Sequence, residues 1–278
     1  MASTRDPLRV ALQVSLYVFF YVLALYIFAP LLGWVGGLLA GATLGVFVAA
    51  LFSNLISLRI YEGQSLPAIG LKWNRRSGHN LGLGLAGGAG SASLVLCAPL
   101  LWRGASIQPH ANPDARWPTV LFTLIMLGFG SAGEEILFRG YGFQLLMRSW
   151  GPWASILPVG ILFGALHAQN PHASALGVIN TVGFGILFGY AFYRSRDLWL
   201  PIGLHFGWNL TLPLFGVNVS GIAVRITSYA LQWRAGPVWS GGEYGPEASI
   251  LTSVVLLGLV AFLWRAPVQQ QDNAPLDG

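Results

Sequence analysis

Charged residues are scarce in this chain, and that scarcity indicates its class. Only 9% of the 278 residues are charged, whereas 54% are hydrophobic and the mean hydropathy is +0.61. Soluble domains carry about 25% charged residues. The composition therefore predicts an integral membrane protein, with the lipid bilayer as its surroundings. A net charge of +5 would suggest nucleic acid for a soluble protein, but here we expect the basic residues to set topology and no nucleic acid to bind.

Cysteine is nearly absent as well. A single residue of this type, Cys97, excludes an intramolecular disulfide and a cysteine-rich metal site. We also expect no cleaved signal peptide, because the first apolar run, Val10 to Leu32, is longer than a signal-peptide core and lacks a clear A-x-A exit. We therefore interpret that run as the first transmembrane helix.

Long apolar runs dominate the chain. A helix needs about 20 apolar residues to cross a bilayer, and such runs predict an all-α polytopic membrane bundle with about eight transmembrane helices. The runs lie near residues 10–32, 35–58, 80–102, 118–147, 152–169, 173–193, 199–216 and 248–265. No internal repeat is visible, so we expect one membrane domain over residues 1–278, with a disordered polar tail at 267–278.

The distribution of Lys and Arg predicts the orientation. Placing the N-terminus inside puts most loop cations on the cytoplasmic side, so both termini are expected there. Residues 217–247 then form an outer loop, for which we expect a short interfacial helix. A compact chain that starts at a membrane helix is typical of bacteria, and we expect a bacterial plasma membrane.

A small set of polar residues lies where the chain is otherwise apolar. Of the ten acidic residues, only Glu134 and Glu135 fall within an apolar segment, in the stretch "SAGEEILFRGYGF". A charge at bilayer depth costs about 2.5–3.5 kcal/mol on insertion scales, so such residues need a partner or a function. The intramembrane polar set, supplied by three predicted helices, consists of Glu134, Glu135, Arg139, His167, His205 and Asn209.

Helical spacing assigns first roles within this set. Glu135 and Arg139 are four residues apart and can pair, whereas Glu134 is turned by about 100° from Glu135 and is left for general acid or base chemistry. His205 and Asn209 are also four residues apart and can face one point. Each feature has a structural alternative: an ion pair that only stabilises, a packed histidine at His167, or an interhelical hydrogen bond from Asn209.

Three motifs in this set resemble one family. "EEILFRG" resembles the EExxxR motif of the CPBP family of intramembrane proteases, which includes the type II CAAX prenyl endopeptidases and bacterial abortive-infection proteins. "FGALH", from Phe163 to His167, resembles its FxxxH motif, and "HFGWN", from His205 to Asn209, resembles its HxxxN motif. The motifs occur in the family's order, and the resemblance covers a catalytic core at about 118–216.

The resemblance implies a role for each matching residue. Glu134 would activate water with help from His167, while Glu135 and Arg139 would support the site and Phe163 would form a packed substrate wall. His205 and Asn209 would donate hydrogen bonds to the oxyanion of the tetrahedral intermediate. The expected activity is intramembrane endopeptidase cleavage of a membrane-bound protein or peptide, with CAAX-type processing as one form.

Other protease chemistries lack their signatures here. No histidine is followed by glutamate, so the H-E-x-x-H zinc motif is missing. No aspartate lies in mid-helix, and Ser131 in "GFGSAG" does not fit the G-x-S-G motif of rhomboid-type enzymes. Glutamate-activated water is the scheme that remains.

Two questions stay open from the sequence. Glu134, His167 and His205 could bind Zn²⁺ as a His₂Glu set, or the site could work without a tightly bound metal. The same fold could also serve as a non-catalytic membrane adaptor or immunity protein, or as a proton-coupled transporter that uses Glu134 and Glu135 as carriers.

Overall fold

A computed structural model describes residues 6–110 and 115–273. Helices account for most of these residues, which confirms the predicted helical class. The longer ones are α1 (Pro7–Tyr61), α2 (Arg75–Leu101), α3 (Trp117–Arg139), α4 (Tyr141–Trp150), α5 (Pro152–His167), α6 (Ala175–Ser195) and α7 (Trp199–Leu214), followed by the short α8 (Pro237–Ser240) and by α9 (Ile250–Arg265).

Two short strands depart from the all-α prediction. Strand β1 (Ala105–Pro109) pairs antiparallel with β2 (Tyr229–Trp233), with Ala105 opposite Trp233 and Pro109 opposite Tyr229. The predicted outer loop at 217–247 therefore contains a strand as well as the short helix α8. Pairing β2 with β1 ties this segment to the end of α2.

Within residues 6–110 and 115–273, four helical segments are long and apolar enough to cross a membrane. They are Pro7–Tyr61, Arg75–Leu101, Trp117–Trp150 and Ala175–Ser195, while Pro152–His167 and Ile250–Arg265 are shorter apolar helices. All eight predicted runs are thus helical along most of their length. Because four segments of the described part of the chain reach spanning length, the count of about eight spans stays a prediction.

Helix α1 contains two of the predicted helices. Gly37 has φ 80° and ψ 176°, a conformation that breaks the helix and suits glycine. On either side of it the chain folds back: Asn54 donates to the Tyr17 hydroxyl at 3.1 Å, and the rings of Phe28 and Phe52 lie 6.5 Å apart. The halves before and after Gly37 are therefore antiparallel neighbours, as the runs 10–32 and 35–58 predict.

The predicted helix at 118–147 is broken in the structure. The backbone leaves helical geometry at Gly140, which separates α3 from α4. A break in an apolar bundle leaves polar backbone groups that need partners. Buried Asn54 provides them, since its amide donates to the Ile136 carbonyl at 3.1 Å and its Oδ1 accepts from the Tyr141 N–H at 2.7 Å.

Close helix contacts hold the helices that carry the polar set. A Cβ atom on Gly88 of α2 would overlap the carbonyl oxygen of Leu204 in α7, so glycine is required for this approach. On α3, a Cβ atom on Gly133 would lie 2.8 Å from the Phe47 backbone. Small residues that allow backbones to approach are the usual means of packing membrane helices. They fix α7 against α2 and α3 against α1.

Part of the predicted disordered tail is packed. The Gln271 amide donates to the Asp197 carboxylate and, at 2.9 Å, to Ser77 Oγ, and Asn273 is fully buried. Burial raises the pKa of Asp197, while the donors Asn80 and Gln271 act in the opposite direction. The prediction of disorder is therefore wrong for residues 267–273, because polar side chains find buried partners there; residues 274–278 lie outside the described residues.

Candidate active site

A buried ion pair forms the base of the candidate site. Arg139 Nη1 lies 3.2 Å from Glu135 Oε1 and 3.1 Å from Oε2, and both side chains are fully buried. Arg139 Nη2 also donates to the Gly185 carbonyl on α6 at 2.7 Å. The contact predicted from the four-residue spacing is confirmed, and the bond from Arg139 to Gly185 joins α3 to α6.

Aromatic rings enclose this ion pair. The guanidinium carbon of Arg139 lies 5.1 Å from the centre of the Phe163 ring and 5.5 Å from that of Phe188. Phe163 also contacts His167, with ring centres 4.6 Å apart, and Phe188 stacks on His205 at 4.9 Å. Phe163 is therefore the packing residue that was expected, while Phe188 was not predicted to contribute.

Hydrogen bonds at Nδ1 orient both histidines. His167 Nδ1 lies 2.8 Å from the Phe163 carbonyl, and His205 Nδ1 lies 2.9 Å from Glu135 Oε1. A carbonyl and a carboxylate both accept, so Nδ1 carries the proton in each ring. Each histidine thus has only Nε2 left for chemistry.

Glu134 lies between these two Nε2 atoms. Its Oε2 is 3.8 Å from His167 Nε2 and 3.9 Å from His205 Nε2. The side chain is 31% exposed, yet Oε2 is buried and makes no hydrogen bond to the described residues. The two adjacent glutamates thus differ as the helical phase predicts: Glu135 is paired and buried, and Glu134 is turned towards the histidines.

Asn209 joins the same region from α7. Its Nδ2 lies 3.5 Å from Ser131 Oγ on α3, and it lines a cavity together with His167 and His205. The structure therefore brings all the predicted residues into one place. Ser131 was considered only as a failed serine-protease nucleophile, and no sequence signal marked it as a neighbour of Asn209.

One acidic residue in this cavity was missed. Glu247, which follows α8 and precedes α9, also lines the cavity with Ser220, although the sequence placed it in the outer loop. It is 6% exposed, and burial raises the pKa of its carboxyl group. Its distance along the chain from every motif explains why spacing could not identify it.

Comparison with known proteins places these residues in a family domain. The model of the Rce1-like type II CAAX prenyl endopeptidases matches residues 116–211. Residues 116–211 form an Rce1-like domain. All seven predicted site residues fall inside it, which supports the resemblance to the CPBP family, and its apolar helices make the chain an integral membrane protein.

One curated relative extends the similarity over a longer stretch. It is a Bacillus subtilis (strain 168) protein described as "Uncharacterized protein YyaK", which is 29% identical over 155 residues. The match covers 54% of this chain, and the chain spans half the length of that relative. The Rce1-like domain is therefore the part of the chain on which a function can be based.

The donors of the Rce1-like domain do not form a ready metal site. Within residues 6–110 and 115–273, no group of three or more His, Cys, Asp and Glu side chains is arranged to hold a metal ion. The separations of 3.8 and 3.9 Å between Glu134 and the two Nε2 atoms still leave space for a bridging species. The Zn²⁺ set of Glu134, His167 and His205 stays a prediction.

Proposed function

We propose that this protein is an intramembrane endopeptidase that hydrolyses peptide bonds of membrane-associated substrates with a glutamate-activated water. The observation that carries the proposal is the position of Glu134 Oε2, 3.8 and 3.9 Å from Nε2 of His167 and His205. The Rce1-like domain supports the protease class. The catalytic type and the role of each residue are parts of the proposal.

The attacking water would lie beside Glu134 and the two histidines. Polar atoms separated by more than 3.5 Å commonly share a bridging water. Glu134 Oε2, which lacks a hydrogen bond, would accept one proton of that water, and the hydroxide oxygen would attack the scissile carbonyl carbon. Glu134 would then return the proton to the amide nitrogen as the carbon–nitrogen bond breaks. His167 would accept the second water proton as a hydrogen bond and so orient the attack.

The oxyanion needs donors on the other side of the carbonyl. Asn209 offers an amide N–H from α7, held near Ser131. His205 Nδ1 already donates to Glu135, so Nε2 can donate as well only when the ring carries both protons. The Glu135 carboxylate, which accepts from Nδ1, stabilises that form.

The environment agrees with a substrate that resides in the membrane. The site lies on α3, α5 and α7 of an apolar bundle, and Glu134 keeps 31% of its side chain accessible. We infer a bacterial plasma membrane with both termini in the cytoplasm. Within that setting, a peptide anchored by a prenyl group is the substrate class that the Rce1-like domain favours.

Cleavage by the purified protein in detergent tests the proposal. A membrane-anchored peptide with a fluorophore and quencher on opposite sides of the scissile bond is offered with and without its prenyl group. Glu134→Gln should abolish cleavage, whereas Glu243→Gln, a matched change at an exposed residue of the outer segment, should not. Wild-type rates for Glu134→Gln would contradict the glutamate mechanism.

A cellular comparison identifies substrates. Membrane proteomes of a deletion strain and a Glu134→Gln strain should accumulate the same full-length proteins. If the deletion alone changes the proteome, the protein acts as an adaptor and not through hydrolysis.

A further inference from the structure

Glu247 is a buried acid outside the Rce1-like domain. It lies in the turn Pro246–Ala248, directly before α9, and is only 6% exposed. Burying a carboxylate is costly unless polar groups satisfy it. A buried acid in a connecting segment therefore indicates a specific task.

Polar contacts fix Glu247 on both its backbone and its side chain. The Ser220 hydroxyl donates to Oε1 at 2.9 Å, and the Ser220 N–H donates to Oε2. The Asn180 amide on α6 donates to the Glu247 carbonyl at 2.8 Å and to that of Ser249 at 2.9 Å. Ser220 thus holds the carboxylate, while Asn180 fixes the backbone of the same residue from α6.

The Glu247 side chain lies at the candidate active site. Glu247 and Ser220 line the same cavity as His167, His205 and Asn209. The cavity offers about 20 Å³ to the centres of water molecules. A buried water needs roughly 10–15 Å³ by this measure and two to four polar partners, so the space suits one water.

We propose that Glu247 is a positioning residue of the active site, whose carboxylate accepts a hydrogen bond from a water held beside His167, His205 and Asn209. This inference rests on the proposed function. The water keeps the Asn209 amide oriented, while the Nδ1 hydrogen bonds orient the rings and Nε2 stays free for the water that Glu134 activates. The segment 217–247 thereby contributes Glu247 to the active site. The three sequence motifs place the other residues of that site on α3, α5 and α7.

The substitution Glu247→Gln tests the negative charge, because glutamine has nearly the same shape as glutamate. Glu247→Gln keeps an oxygen for the Ser220 N–H, but it replaces one acceptor by an amide donor and removes the charge. Loss of a hydrogen bond to a charged group should lower kcat by roughly 10- to 100-fold, with KM unchanged because Glu247 does not touch the substrate. Glu243→Gln removes the same charge from the exposed part of this segment and should keep wild-type kcat.

Two further measurements distinguish a positioning role of Glu247 in catalysis from a role in stability alone. Ser220→Ala removes the hydroxyl bond to Oε1 but keeps the backbone bond to Oε2, so it should lower kcat less than Glu247→Gln does, and combining the two should add little. An experimental structure of the Glu134→Gln protein should show a water within hydrogen-bonding distance of Glu247, and that water should be lost when Glu247→Gln is added.

The outcomes are separable from those for the proposed function. If Glu134→Gln is inactive while Glu247→Gln keeps the kcat of Glu243→Gln, the role of Glu247 is overturned and the protease mechanism stands. If Glu247→Gln lowers both the melting temperature and the activity, and the cavity holds no water, Glu247 has a purely structural role. Normal cleavage by Glu134→Gln would instead contradict the underlying function.

Discussion

Glu135 Oε1 lies 2.9 Å from Nδ1 of His205, a residue 70 positions away in sequence. The same carboxylate pairs with Arg139 at 3.1 Å, so one buried acid orients a histidine on α7 and neutralises an arginine on α3. Glu134, next to it in sequence, has neither contact. The two glutamates therefore have different surroundings, and substitutions should separate their roles.

Replacing Glu135 should cost stability as well as activity. Glu135→Gln leaves Arg139 buried without its counter-charge, and breaking a buried pair in this way costs about 3–5 kcal/mol. Thermal unfolding in detergent should show a large loss for Glu135→Gln and little for Glu134→Gln, whose carboxylate is partly exposed and makes no such pair. Equal melting temperatures for the two variants would contradict this division of roles.

Removing the Asn209 amide should affect the transition state alone. Loss of one oxyanion donor typically lowers kcat by about 10²–10³, so Asn209→Ala should show this fall with KM nearly unchanged. Asn209→Asp places a negative charge near the oxyanion and should be slower still. Ser131→Ala removes only the contact at 3.5 Å and is the control, for which we expect a small effect.

Much of the site could be predicted from short-range spacing. The four-residue separation of Glu135 and Arg139 predicts a shared helix face, and the phase of Glu134 predicts its separation from that pair; the structure shows both. Helical periodicity is a local property, so it does not require the tertiary fold. The catalytic roles remain predictions until activity is measured.

Contacts between distant segments were not predictable in the same way. Glu247 reaches the cavity because Asn180 and Ser220 hold its turn, and neither residue belongs to a motif. The break at Gly140 depends on Asn54, a residue more than 80 positions earlier that satisfies its polar groups. Burial of a polar residue is visible only when the partners that satisfy it are known.

The break between α3 and α4 gives a further test. Asn54→Ala would leave the Ile136 carbonyl and the Tyr141 N–H without their partner, and a buried unsatisfied group costs about 1–3 kcal/mol. We expect a lower melting temperature and reduced cleavage, since Arg139 directly precedes the break. Tyr17→Phe removes a hydroxyl that donates to the Leu137 carbonyl at 2.7 Å and accepts from Asn54 at 3.1 Å; it should lose less, because Asn54 keeps its bonds to Ile136 and Tyr141.

Chelation tests the mechanism independently of substitutions. A glutamate-activated water needs no metal, so prolonged dialysis against 1,10-phenanthroline should leave cleavage unchanged. The measurement is the initial rate before and after dialysis, with metal content determined on the same sample. A loss that Zn²⁺ restores would contradict the metal-free scheme and support the set of Glu134, His167 and His205.

The contact between the C-terminal segment and Asp197 yields the last test. Asp197 lies between α6 and α7 and is fully buried, with its carboxylate accepting from Asn80 at 2.8 Å, from the Leu200 N–H at 3.2 Å and from Gln271. Asp197→Asn turns one acceptor into a donor that faces the amides of Asn80 and Gln271. We expect a loss of about 1–3 kcal/mol.

The release of the segment can be followed separately from stability. Limited proteolysis should cut residues 267–273 faster in Asp197→Asn than in wild type, because Gln271 loses its buried acceptor. Asp272→Asn changes the exposed acid next to Gln271 and should leave both the melting temperature and the cleavage rate as they are. Equal protease sensitivity of Asp197→Asn and Asp272→Asn would show that Asp197 does not anchor this segment. If Asp197→Asn lowers the catalytic rate as well as releasing residues 267–273, this segment also supports α7. That helix begins two residues after Asp197 and carries His205 and Asn209.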